Sequence, residues 1–88
     1  MYKGRTGSGF EFEVKETAAD DMRLIEALAE IEENPLVFAK VCTLLLGKDQ
    51  KDRLYQFLER EDGTVPVKAV GETVAEILNL LGNTGKNF

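Results

Sequence analysis

The stretch NPLVFAKVCTLLLG, Asn34 to Gly47, reads as one helix with a marked start and a marked stop. Asn34 supplies a side-chain oxygen for the first free N–H groups, and Pro35 suits the first helical position. Gly47 can take a left-handed conformation just past the last turn. Within these bounds only Lys40 and Thr43 are polar. At about 100° per residue they share one narrow edge. Val37, Phe38, Val41, Cys42, Leu44, Leu45 and Leu46 cover well over half of the circumference. A helix apolar nearly all round is buried on most sides. In so small a chain one core rarely surrounds it, so part of its surface is expected to meet a partner.

On either side of this helix the periodicity changes. Upstream, Phe10, Phe12 and Val14 alternate with Glu11, Glu13 and Lys15, the period of a half-buried strand. The run Tyr2–Thr6 lies before it, and Gly7-Ser8-Gly9 between them can form a tight turn. The two runs are therefore expected to pair as a β-hairpin packed through Phe10, Phe12, Val14 and Tyr2. Thr17 reads as the cap of a first helix, with Asp20 as its capping-box partner. Met22, Ile25 and Ala29 form one apolar stripe of that helix, with Leu24, Leu28 and Ile31 beside it. It ends near Glu33, because Pro35 disfavours helix at Asn34.

Downstream, residues 48–61 read as a third helix with Leu54, Phe57 and Leu58 inward and Tyr55 flanking them, and Asp62-Gly63 as a turn. A last helix runs from Pro66 to about Leu81 on an inner stripe of Val67, Val70, Val74, Ile77, Leu78 and Leu81. Gly71 interrupts it at roughly 1 kcal/mol against Ala. Gly82 is expected to stop it and open a mobile tail. The expected fold is α+β and mostly α: an N-terminal β-hairpin followed by a small four-helix domain, in a single domain over residues 1–81 with a tail at 82–88.

Composition narrows the function classes. Of 88 residues 43% are hydrophobic, which argues for a globular chain. A chain of this size buries roughly 60–65% of its unfolded surface, enough for a modest core. The net charge of −5 opposes binding to nucleic acid or to anionic lipid. No apolar run reaches the ~20 residues that span a bilayer, and MYKGRTGSGF lacks the apolar core of a signal peptide. A reducing cytoplasmic setting is expected.

The residues that carry chemistry are scarce. There is no histidine, the one cysteine is Cys42 among leucines, and the one serine, Ser8, lies in a turn with no base nearby. No nucleophile and base can be assembled, and no thiolate cluster for zinc. Asp20, Asp21, Glu26, Glu30, Glu32 and Glu33 match no cation loop and read as a solvated acidic face. Gly4–Gly9 and Gly85-Lys86 lack the Gly-Lys-Ser/Thr ending and following helix of a phosphate loop. Lys48, Lys51 and Arg53 are interleaved with Asp49 and Asp52, a mixed-charge face. The sequence thus implies neither an enzyme nor a metal or cofactor. Val37, Val41, Leu44 and Leu80 are the candidate partner-binding residues, the last because it lies off the inner stripe of the final helix. Val37→Asp or Leu44→Asp is expected to abolish self-association or partner binding.

The order of segments resembles a known family. YKGRTGSGFEFEV, DDMRLIEALAEIEENP, the apolar run ending LLLG, DRLYQFLEREDGTVPVKAV and the closing GKN are similar, over nearly the whole chain, to the small tail assembly chaperones of phages and prophages of Gram-positive bacteria. That resemblance implies a protein that binds the tape measure protein, keeps it soluble and helps recruit tail tube subunits around it. It implies self-association, a place in the cytoplasm of the bacterial host, absence from the mature virion, and no catalytic residue or cofactor. It also implies a longer form made by ribosomal frameshifting; Gly85-Lys86-Asn87 can be encoded as GGA AAA AAC, which holds the slippery run A AAA AAC. Two other readings stay open: a small acidic regulator or inhibitor of another protein, resting on the net charge, and a structural adaptor that remains in the phage particle.

Overall fold

Tyr2–Arg5 (β1) and Glu11–Val14 (β2) form a two-stranded antiparallel hairpin in the register Tyr2–Val14, Lys3–Glu13, Gly4–Phe12 and Arg5–Glu11. The Thr6 N–H donates to the Phe10 carbonyl at 2.9 Å and the Gly9 N–H to the Thr6 carbonyl at 3.0 Å. Gly9 closes this turn at φ +100°, where a side chain would be strained. Thr6 is buried, and its Oγ1 accepts from the Phe10 N–H at 3.0 Å. Alternation does the rest: Phe10, Phe12 and Val14 are buried and Glu11 and Glu13 exposed, as expected of a half-buried strand.

Four helices follow, which makes the chain an α+β fold: Met22–Glu30 (α1), Phe38–Leu46 (α2, entered through a 3-10 turn at Pro35–Val37), Lys48–Leu58 (α3) and Val67–Thr84 (α4). The computed structural model describes the backbone of residues 1–31 and 33–84 and the side chains of 1–31 and 33–82. Gly85-Lys86-Asn87 and the end of the expected tail lie outside the described residues.

α1 begins later than Thr17 predicts. Asp21 is its cap, in extended backbone, with its Oδ1 accepting from the Arg23 N–H at 2.9 Å. Thr17 instead sits in turn structure, where its carbonyl accepts the Asp20 N–H. The stripe is also rotated: Leu24 and Ala27 are buried and Leu28 and Ile31 partly so, while Met22, Ile25 and Ala29 face outward. Leu24 and its neighbours match the side that α2 covers, and α1 packs chiefly on α2.

Asn34 caps as expected, accepting from the Leu36 N–H at 3.3 Å, with Pro35 next. Gly47 ends α2 and starts α3 in a single residue at φ +79°, ψ 163°. That is positive φ without the left-handed helical ψ, a region open essentially to glycine alone, and it turns the chain directly into the next helix.

α3 stops at Leu58, short of 61, because residues 60–64 close a tight loop. The Arg60 N–H donates to the Thr64 carbonyl at 2.7 Å, and the Asp62 carboxylate takes both the Thr64 N–H and hydroxyl. Leu54 is fully buried as expected, but Phe57 is half-exposed. In α4, Val70, Val74, Ile77 and Leu81 are buried, whereas Val67 lies a turn before the first of them and is exposed. Gly82 does not stop the helix, which runs on to Thr84. Burial of Leu81 anchors the last turns against the roughly 1 kcal/mol that a mid-helix glycine costs. Hairpin and helices share one core, from Phe10 to Leu81.

Candidate interaction surface

The apolar residues of α2 divide sharply. Val41, Cys42, Leu45 and Leu46 are buried, and Val41 has no exposed surface at all. Val41 is therefore a core residue that a partner cannot touch. Leu44 and Leu80 are partly buried and packed against the core, and Val37 is half-buried in the 3-10 turn. Of the four expected partner residues, Val37, Leu44 and Leu80 retain some exposed surface.

Larger exposed apolar side chains lie elsewhere. Leu36 is 87% exposed, Val67 71% and Met22 68%, with Ile25 about half-exposed. Leu36 follows the cap and Pro35, on the polar edge shared with Lys40 and Thr43 once the helical phase is fixed by the buried residues. The start of α2 meets α4 through Phe38, whose Cζ lies 3.6 Å from the position a Cβ would take on Gly71. Val67 is one helical turn before Gly71, and Leu36 two residues before Phe38. Val67 is thus an exposed apolar neighbour of the Phe38–Gly71 contact along α4, whereas Leu36, about 200° round from Phe38, stands in water on a different side.

Where α3 meets the hairpin, hydrogen bonds join the two. α3 reaches the hairpin along β2: the Gln50 side-chain amide accepts from the Glu13 N–H at 2.6 Å, and its Nε2 donates to the Glu13 carbonyl. Arg53 Nη2 donates to the Glu11 carbonyl at 3.1 Å, and its guanidinium lies 5.5 Å from the centre of the Phe10 ring. Phe57 leans on the same ring, with centroids 5.5 Å apart, which accounts for its position between core and solvent. An open groove of about 950 Å³ lies between the hairpin and the start of α3, lined by Lys3, Arg5, Lys48 and Arg53 together with Glu11, Glu13 and Asp49. Its charges nearly balance.

Cys42 is the remaining reactive group. Burial pushes its thiol above the ordinary range, against a hydrogen bond from Tyr55 and the charge of Lys51 that act the other way. The neutral thiol is a poor nucleophile and packs as a small apolar side chain. Among the described residues no group of three or more His, Cys, Asp or Glu could hold a metal ion, and no helix is long and apolar enough to cross a membrane. Comparison with protein-family models, curated proteins and solved structures finds no match in any of the three.

Proposed function

We propose that this chain is a tail assembly chaperone of a long-tailed phage or prophage: a non-enzymatic protein, without cofactor, that binds and solubilises the tape measure protein and helps recruit tail tube subunits. It works in the cytoplasm of the bacterial host and leaves before the virion is complete. The observation that carries this reading is the exposure of two large apolar side chains, Leu36 ahead of the apolar helix and Val67 at the start of α4. A tape measure protein presents long amphipathic helices, and an apolar helical stripe binds a helical surface through such anchors.

The size of the surface suits a transient client. Fully burying a side chain such as Leu36 or Val67 contributes about 1.5–3 kcal/mol. Association itself costs about 4–15 kcal/mol, so one copy binds weakly. Many copies along one long client, or a self-associated chaperone, gain affinity by avidity and still release when tube subunits arrive. The net charge of −5 keeps the loaded client in solution.

The test is titration of the full chain against a soluble helical fragment of a tape measure protein at about 0.1 M and about 1 M salt, where the screening length falls from roughly 10 Å to roughly 3 Å. Binding through apolar anchors persists or strengthens in high salt. Binding that collapses in high salt refutes the apolar surface and favours the acidic regulator. Detection of the chain in purified virions favours the adaptor. The extended form is tested by reading the codons of Gly85-Lys86-Asn87; without a slippery run there, that part of the reading fails.

A further inference from the structure

The two edges of the hairpin are treated differently by the rest of the chain. The Thr6–Phe10 hydrogen bond fixes the alternation of the ladder. Gly4 bonds with Phe12 and Tyr2 with Val14, so Lys3, Arg5, Glu11 and Glu13 turn their N–H and C=O groups away from the partner strand. On β2 those groups are covered. Gln50 takes both the N–H and the C=O of Glu13, as a neighbouring strand would, and Arg53 takes the C=O of Glu11. α4 also approaches β1, and Glu76 accepts the Gly7 N–H at 2.6 Å just past the strand, but the outward groups of Lys3 and Arg5 have no such partner among the described residues, and both side chains are exposed. An open edge is a template for another strand.

Charge decides what fits that edge. A second copy of β1 would set Lys and Arg against Lys3 and Arg5, and like charges directly opposite are unfavourable. The chain's own partner strand sets Glu13 opposite Lys3 and Glu11 opposite Arg5. A β2 from another copy is not free, since one of its edges pairs with β1 and the other is held by α3. Between the two cations Gly4 brings the backbone close to the rings of Tyr2 and Phe12, whose centroids lie 5.9 Å apart. An apolar residue of an added strand falls level with them.

From this we infer that the free edge of β1 docks an extended segment of another protein that carries acidic residues two apart around an apolar one, adding it to the hairpin as a third strand. This site is distinct from the exposed Leu36 and Val67 and stands or falls separately from the chaperone reading. Lys3 and Arg5 select the segment, and the backbone N–H and C=O groups beside them hold it.

The experiment titrates the isotopically labelled full chain with two capped peptides: GFEFEVK, which copies residues 9–15, and its charge-swapped form GFKFKVE. The acidic peptide is expected to shift the Lys3 and Arg5 amides and slow their hydrogen exchange, leaving Glu11 and Glu13 in place. The swapped peptide is expected to bind about tenfold more weakly or worse, because both cross-strand pairs become repulsive. Arg5→Pro removes an outward N–H that makes no ladder bond and is expected to abolish docking with the hairpin intact. Equal affinity for the two peptides, shifts confined to α2 and α4, displacement of the chain's own β2, or no binding each overturn the proposal. The peptide comparison uses the unmodified chain, so it decides the matter even if Arg5→Pro does not fold.

Discussion

The same substitution, Gly to Ala, is expected to have opposite signs at two positions. Gly71 lies inside α4, in ordinary helical backbone. A Cβ there would meet Phe38 Cζ at 3.6 Å and Cε2 at 3.9 Å, normal van der Waals contact. Gly71→Ala therefore recovers about 1 kcal/mol of helix propensity with nothing to displace. In a domain of this size that raises Tm by about 4–8 °C. At Gly4 a Cβ would lie 2.5 Å from Phe12 Cζ and 3.0 Å from Phe12 Cε1 and Tyr2 Cε2. Phe12 is buried, so its ring cannot swing into solvent. Overpacking of this kind costs about 1–3 kcal/mol, offset by about 0.4–1 kcal/mol from a less flexible unfolded chain. Gly4→Ala should lose about 0–2.6 kcal/mol, centred near 1.3 kcal/mol. Urea unfolding of both variants, with unchanged m-values, reads the difference directly. A destabilised Gly71→Ala would refute the open contact between Phe38 and α4, and a stabilised Gly4→Ala the close approach of the two rings to β1.

Three further outcomes follow from particular contacts. Gln50→Ala removes the amide that covers Glu13 and should lower stability by about 0.5–1.5 kcal/mol in urea unfolding. Cys42 should resist a thiol reagent at mildly alkaline pH until the chain unfolds, and stability should fall as pH rises beyond the free thiol's pKa, since the folded state holds the proton more tightly. The hydroxyl and N–H of Thr64 hold the Asp62 carboxyl below the usual range. Its contribution is present above the ~3.9 of a free aspartate and lost in stronger acid, so Asp62→Asn should show a shallower acid loss than the parent chain in urea midpoints measured against pH.

The elements whose signals are local could be read from the sequence. The alternation of Phe10, Phe12 and Val14 and the Asn34-Pro35 start of the apolar helix depend on neighbours in the chain. What failed depended on where a partner ends. Val67 and Phe57 carry the apolar character of an inner stripe, but Val67 overhangs the core and Phe57 sits at its hairpin side. Met22, Ile25 and Ala29 form a valid helical stripe, and only the placement of α2 selects Leu24 and Ala27 instead. Leu36 was open to detection, because it falls on the edge of Lys40 and Thr43. The cover that Gln50 and Arg53 give β2 was not, since it joins residues 37 and 42 positions apart.

The most direct measurement is co-expression of a tape measure protein with the full chain, unmodified or carrying Leu36→Asp, followed by its soluble yield. Leu36 is exposed, so the variant should fold within about 0.5 kcal/mol of the parent, as surface changes do. The chaperone account predicts a soluble complex with the unmodified chain and an insoluble tape measure protein with the variant. Tape measure protein that stays insoluble with both, or soluble with both, would contradict it.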